Sequence, residues 1–407
     1  MTFDIALTGI NAASTELEVI ANNIANNSTT GFKRSRADFA DVYAISTFGA
    51  TNPAVGQGVS VTGIKQEFKQ GDTTFTNNNL DISVEGQGMF RLSDGGTSQY
   101  TRAGNFGLDR EGYIVNSSGM NLTGFGVNDN SEIEPISRNL QIDYSDLQPQ
   151  STSKIELSLN LDINAEVLPP FDVTDPSTFS FSTSTSVYDS LGSSQVATMY
   201  LRKDTPNSWS SFVYVDGVEV SNPGGDELTF DASGKMTSVN GSPDGDFTTT
   251  NFAPASGASP MDITFNMRDI TQFDGAFGVN RVVQDGFAAG RLEDFDVDQS
   301  GVIFGRFSNG QAKIMGQITL SSFPNSEGLR QVGDTSWTET FASGEPATGA
   351  PGSASLGGLQ AGALEGSNVD ITHELVAMIG AQRSFQANAQ VISTGDTLMQ
   401  TVINIRR

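Results

Sequence analysis

The side chains able to do chemistry are few and scattered. His373, the single histidine, could act as a general base only if a serine or cysteine and an orienting carboxylate met it in one hydrogen-bonded line. It lies two residues past Ile371 on an amphipathic stretch, off the apolar positions, and so belongs to a polar helix face. Asp294, Asp296 and Asp298 in EDFDVDQSG open like a calcium loop. Gln299 stands where such a loop needs Gly, and Gly305 where it needs a bidentate Glu, so the run reads as a solvated strand end or turn. Gly86 and Gly88 start a Gly-x-Gly with Arg91 in place of the third Gly and no strand-loop-helix unit around it. Ser151 and Lys154 match Ser-x-x-Lys by spacing alone. With no convergent acid, base or metal set, the sequence predicts a protein that is not an enzyme and has no cofactor and no metal.

Composition narrows the alternatives. At about 150 residues per domain, 407 residues make two or three domains. Charged residues reach only 17%, glycine counts 44 and apolar residues 37%, which favours strands joined by tight turns over disorder. A net charge of -25 repels phosphate and anionic lipid, so nucleic acid is not an expected partner. Cysteine is absent, which removes disulfides and thiolate sites. No run of 18 apolar residues exists, and Asp4 stands where a secretory signal would carry Lys or Arg. The expectation is a chain that neither inserts in a membrane nor leaves the cell by a cleaved signal peptide.

The elements follow from periodicity. Phe3, Ile10, Leu17 and Ile24 lie seven apart, with Ala6, Ala13 and Ile20 between them, so residues 3 to 26 read as a helix. Ile371, Met378, Phe385, Ile392 and Met399 repeat the spacing at the other end, with Leu375, Ala389 and Ile403 as the second seam. Asn368 or Asp370 can cap that helix. Two heptad seams at opposite ends of one chain predict that the termini pair as a coiled coil, whose remaining apolar surface packs on further copies. These seam residues are the candidate assembly interface.

Between them the period is two. Ile155, Leu157, Leu159, Leu161 and Ile163 alternate with polar residues as a half-buried strand must. Residues 196–201, 212–215 and 261–267 are further strand candidates, and Asn309-Gly310 marks a hairpin between two apolar runs. Short strands with Gly and Asn turns imply sandwich or barrel domains. Residues 343–366 and 45–66, rich in glycine, read as loose connectors.

At this point the sequence becomes recognisable. ELEVIANNIANNSTTGFKRS, with Asn23, Asn26, Gly31, Phe32 and Lys33, resembles the N-terminal signature of bacterial flagellar rod and hook axial proteins. ALEGSNVDITHELVAMIGAQRSFQANAQ is similar to that family's terminal element through Glu365, Asn368, Val369, Glu374, Gln382, Arg383 and Asn388. Residues 84–125 and 284–329 resemble a β-domain common to distal rod and hook, with Tyr100, Thr101 and Arg102 among the matches. The segment 187–203 looks like the outer domain of hook proteins and has no place in the shorter rod proteins, which points to the hook branch.

The resemblance implies a mainly β fold with α-helical termini, one β-domain inserted into another. Its boundaries are a terminal coiled coil of 1–30 with 367–407, a connecting segment 31–70, an inner β-domain of 71–145 with 285–362, and an outer β-domain of 146–284. It further implies a self-assembling tubular polymer, a bendable universal joint that transmits motor torque. Implied partners are other copies, the distal rod and hook-filament junction proteins, the hook cap and the type III export gate, with an extracellular, cell-surface location. Phe39 and Tyr43 look like the short export element of the family, with Tyr in place of the more usual Phe. The alternatives are a distal rod subunit or, in a different class, a secreted β-rich adhesive module.

Overall fold

Two helices bracket a chain that otherwise runs through strands: α1 covers Thr2–Ala25 and α2 Ile371–Ile405. With 24 and 35 residues they are roughly 36 and 52 Å long. Asp370 caps α2, its Oδ1 accepting from the backbone N–H groups of Thr372 and His373 at 2.8 and 3.2 Å. Asn368 is occupied elsewhere. This computed structural model describes residues 2–42, 56–128 and 131–405, so Tyr43 of the export-like element lies outside the described residues.

The chain divides into two compact units. The first comprises residues 1–143, 294–306 and 312–407; the second comprises residues 144–293 and 307–311 and interrupts the first in sequence.

In the first unit, α1 is followed by an antiparallel ribbon of β1 (Ser35–Asp41) and β2 (Val59–Gln66), in register from Ser35↔Gln66 to Asp41↔Val59 with a bulge at Asp38/Phe39. The rest is an extended antiparallel sheet system with Phe90, Leu92, Ile114, Leu122, Ile318 and Leu320 fully or almost fully buried. Its strands Val302–Phe307 and Ala312–Ile318 pair antiparallel through the Asn309-Gly310 turn, whose residues 307–311 count with the second unit, and Gly310 takes φ 79° as a tight turn there requires.

Two expectations are corrected in this unit. Residues 343–366 are not a loose connector: Ala347–Gly349, Gly358–Ala361 and Ala363–Glu365 are strands, paired with Leu320–Ser322, Ile82–Glu85 and Thr73–Phe75. Alternation cannot be read from strands of three or four residues, so their small residues carried no signal. Residues 59–66 likewise form β2 and not a linker. The β-body therefore reaches beyond residue 362, and the segment 31–70 carries structure of its own.

The second unit has two sheets over one core. The strand Lys154–Asp162 pairs in parallel with Thr264–Asn266 and Thr271–Phe273, and antiparallel with Gly278–Gln284. The other sheet is an antiparallel meander whose long member, Ser194–Thr205, lies between Phe181–Tyr188 and Ser208–Val215. Ile155, Leu157, Leu159 and Leu161 pack with Met199, Leu201, Trp209 and Val213. The strand expected over 261–267 is shorter, Thr264–Asn266, although Met261, Ile263, Phe265 and Met267 are all buried.

Candidate assembly site at the terminal helices

The helices pair antiparallel. Asn23 on α1 donates from Nδ2 to Glu374 Oε2 at 3.2 Å. Gly9 lies so close to Asn388 that an added Cβ would come within 2.7 Å of its amide. Fourteen residues separate the two contacts on each helix, so the register holds along the pair. It brings Thr2 level with about residue 395, leaving about ten residues of α2, or roughly 15 Å, beyond the start of α1.

Packing picks out particular stripes. On α1 the buried residues are Ala6, Ala12, Ala13, Val19, Ile20 and Asn23, small where the helices come close. On α2 they are Glu374 and Ala381, in line with Asn388 at seven-residue spacing. Of the predicted seam, Ile20 is buried in the chain, and Ile10, Leu17, Ile24, Met378 and Ile392 are half-buried. Phe3, Ile371, Leu375, Phe385 and Met399 stay between 38 and 66% exposed. The face of α2 that meets α1 is thus set off from the heptad read in the sequence, and the apolar surface of Leu375, Val376, Ile379 and Phe385 is open.

The roots of both helices are anchored by buried charge. Lys33, eight residues past the end of α1, is fully buried with its Nζ 2.5 Å from Glu365 Oε1, and it donates to the Lys69 carbonyl at 2.7 Å. Arg102 donates to Glu365 Oε2 at 2.9 Å and to the carbonyl of Gly86 at 2.5 Å. The Gly71 N–H donates to Glu365 Oε1 at 3.0 Å. Burial pushes the Lys33 amino group below the ordinary lysine range, with the Glu365 carboxylate opposing the shift, and the same balance lowers Arg102. A lone buried cation would not persist here; the shared carboxylate is what holds both.

A second node sits one turn into α2. Glu374, 1% exposed, accepts from Arg34 Nε at 2.6 Å as well as from Asn23. The Asn23 amide closes on the Ser35 backbone in both directions, at 2.8 and 2.9 Å. Asn368 accepts from Arg34 N at 2.7 Å and donates to the carbonyls of Glu67 and Lys69. Gly31 turns the chain between the nodes at φ 69°, where an added Cβ would lie 2.5 Å from the Ala103 nitrogen. The junction that glycine-rich flanks suggested was loose is therefore closed by charge and amide contacts.

Most of the signature residues converge on this junction. Asn23, Gly31, Phe32, Lys33, Asn368 and half-buried Val369 build it, and Asn26 accepts from the Thr29 hydroxyl at 3.2 Å to close the end of α1. Gln382 and Arg383 lie outside it, exposed on α2, and Asn388 meets Gly9. Sequence reasoning missed Arg34, Glu67 and Gly9; a glycine opposite an amide fourteen residues from Asn23 has no signal until the register is known. Phe39 is 39% exposed on β1.

The residues that could have done chemistry take structural places. His373, exposed, has Nδ1 3.4 Å from Arg34 Nη2. Asp296 pairs with Arg306 at 2.8 Å, and Asp298 closes the following turn by accepting from Val302 N at 2.9 Å. Lys154 pairs with Glu156 on the surface. Among the described residues no cluster of three His, Cys, Asp or Glu is placed to hold a metal, and no helix is long and apolar enough to cross a membrane.

Comparison with known proteins places these features. Residues 3–33 match the flagella basal body rod protein family, 83–158 the flagellar hook protein FlgE/F/G D1 domain, 158–287 the flagellar basal body protein FlaE D2 domain, and 360–405 the flagellar basal body rod FlgEFG protein C-terminal family. The flagellar hook protein FlgE of Salmonella typhimurium is 36% identical over the whole of both chains, and that of Borreliella burgdorferi 34% over 98% of each. The crystal structure of Helicobacter pylori flagellar hook protein FlgE2 shares the fold, with a TM-score of 0.54 at 16% identity, over 70% of this chain and 99% of its own. With full-length relatives at this identity, the chain belongs to the flagellar hook protein FlgE family and is a structural subunit of the bacterial flagellar hook.

Proposed function

We propose that the antiparallel pair of α1 and α2 is the element through which copies of this subunit join into a tubular, bendable polymer, while the β-rich units make the weaker contacts that exchange as the tube bends. The observation that carries this reading is the apolar surface that α2 leaves open, Val376 and Ile379 on the side away from α1 and Phe385 beside the line that meets it. Leu375, Val376, Ile379 and Phe385 stay exposed on a helix whose root is fixed by two buried charge nodes. Exposed apolar surface on a rigid element is a binding surface, because burying it releases about 25 cal/mol per Å². The acidic balance of the chain, -25, keeps free subunits apart until that surface is engaged.

In this reading the chain catalyses nothing and acts by packing alone, as expected for a family of structural proteins. Its other partners are the distal rod and hook-filament junction proteins, the hook cap and the type III export gate, an assignment supported by family membership. The test is Phe385→Asp. Phe385 is 38% exposed, so the variant folds with unchanged circular dichroism yet forms no tubes in negative-stain electron microscopy under salt conditions in which the unaltered chain does. Normal tubes from the variant would remove α2 from the assembly surface.

A further inference from the structure

We infer that Arg383 on the outer face of α2 pairs with Glu18 on the outer face of α1 of a second copy, an inference that rests on the reading of this chain as a self-assembling subunit. Arg383 is the one Lys or Arg in the two helices as described, against five carboxylates: Asp4, Glu16, Glu18, Glu374 and Asp396. Glu374 is already held by Arg34, and Asp396 accepts from Gln400. Arg383 is exposed and makes no ion pair or side-chain hydrogen bond among the described residues, and the same is true of Glu18.

Their positions explain why they do not meet within the chain. The side of α2 turned to α1 is the line of Glu374, Ala381 and Asn388. At 100° per residue Arg383 falls on the opposite side, one turn after Ile379 and two after Val376, which are 51 and 67% exposed. Glu18 falls away from the buried Ala6, Ala13 and Ile20, on the side of α1 that also exposes Leu7 at 46%. Covering Val376 and Ile379 with another copy removes water from Arg383, and a desolvated guanidinium requires a carboxylate. Its own chain has none on that face. The outer face of α1 on a second copy supplies one, and the pairing is heterologous, so it continues from copy to copy and does not close a dimer.

Charge reversal tests this with seeds sheared from assembled tubes and measured elongation. Arg383→Glu and Glu18→Lys each lower the elongation rate at least tenfold, with helix content unchanged by circular dichroism. The doubly reversed chain R383E/E18K recovers most of the rate. The decisive arm mixes the two single variants in equal amounts: alternation restores opposite charges at every contact between copies, so the mixture elongates faster than either alone. Elongation of the unaltered chain in parallel reports on self-assembly itself. If that chain elongates while Arg383→Glu does so at the same rate, the pairing is overturned; a double variant that recovers while the mixture does not would mean a contact inside one chain, which overturns it equally.

Discussion

Glu365 answers two cations at once. Its carboxylate takes Lys33 from the N-terminal segment and Arg102 from the β-body, with all three side chains at most 6% exposed. Such a triad is weak evidence for stability when whole, because desolvation offsets the attraction, but removing the shared partner leaves two buried cations uncompensated. Glu365→Ala should cost the helix-bearing unit roughly 3–5 kcal/mol, measured as a lowered denaturant midpoint. Glu365→Gln should lose less, since the amide oxygen still accepts from one cation. The residues involved were recognisable one by one as parts of three separate signatures, at positions 33, 102 and 365. Their meeting was not, because a contact across 332 residues of chain leaves no local spacing to read.

The helices show the same division one level up. Heptad spacing made both helices legible, and with them the pairing of the termini, because a 3.6-residue turn brings every seventh residue back to one side. It did not tell which apolar stripe of α2 faces α1. The sequence suits more than one stripe, and the close approach at Gly9 and Asn388, with Asn23 held to Glu374, selects the one through Ala381. Two predicted seam residues therefore have different roles. Ile20→Asp places a charge at a position 5% exposed and should unfold the helical pair, costing roughly 3 kcal/mol or more and lowering the helix signal in circular dichroism. Phe385→Asp, at an open position, should leave that signal intact and remove only assembly.

For the whole molecule, the two tryptophans fall one to each compact unit. Trp337 is buried in the first against Phe68, with ring centroids 5.4 Å apart, and Trp209 in the second donates from Nε1 to Gln272 at 3.0 Å. Separate cores give separate unfolding equilibria. The single-tryptophan variants W209F and W337F should then report different denaturation midpoints by fluorescence. Adding Glu365→Ala should move the midpoint seen by Trp337 and leave that seen by Trp209 where it was; a common shift would mean one cooperative core.

The chain by itself determined what depends on local spacing. The helical ends, the strand Lys154–Asp162, the Asn309-Gly310 turn and the signatures of the family are all written in runs of a few residues, where period and turn chemistry act directly. The strands of three and four residues in 343–366 fell below that limit. Tertiary structure decided the rest: which side of α2 packs on α1 and which stays open, and how Lys33, Arg102, Glu365, Arg34, Asn23 and Glu374 lock the helical roots. These depend on register and burial, and a buried charge finds its partner only when segments distant in sequence are brought out of water together.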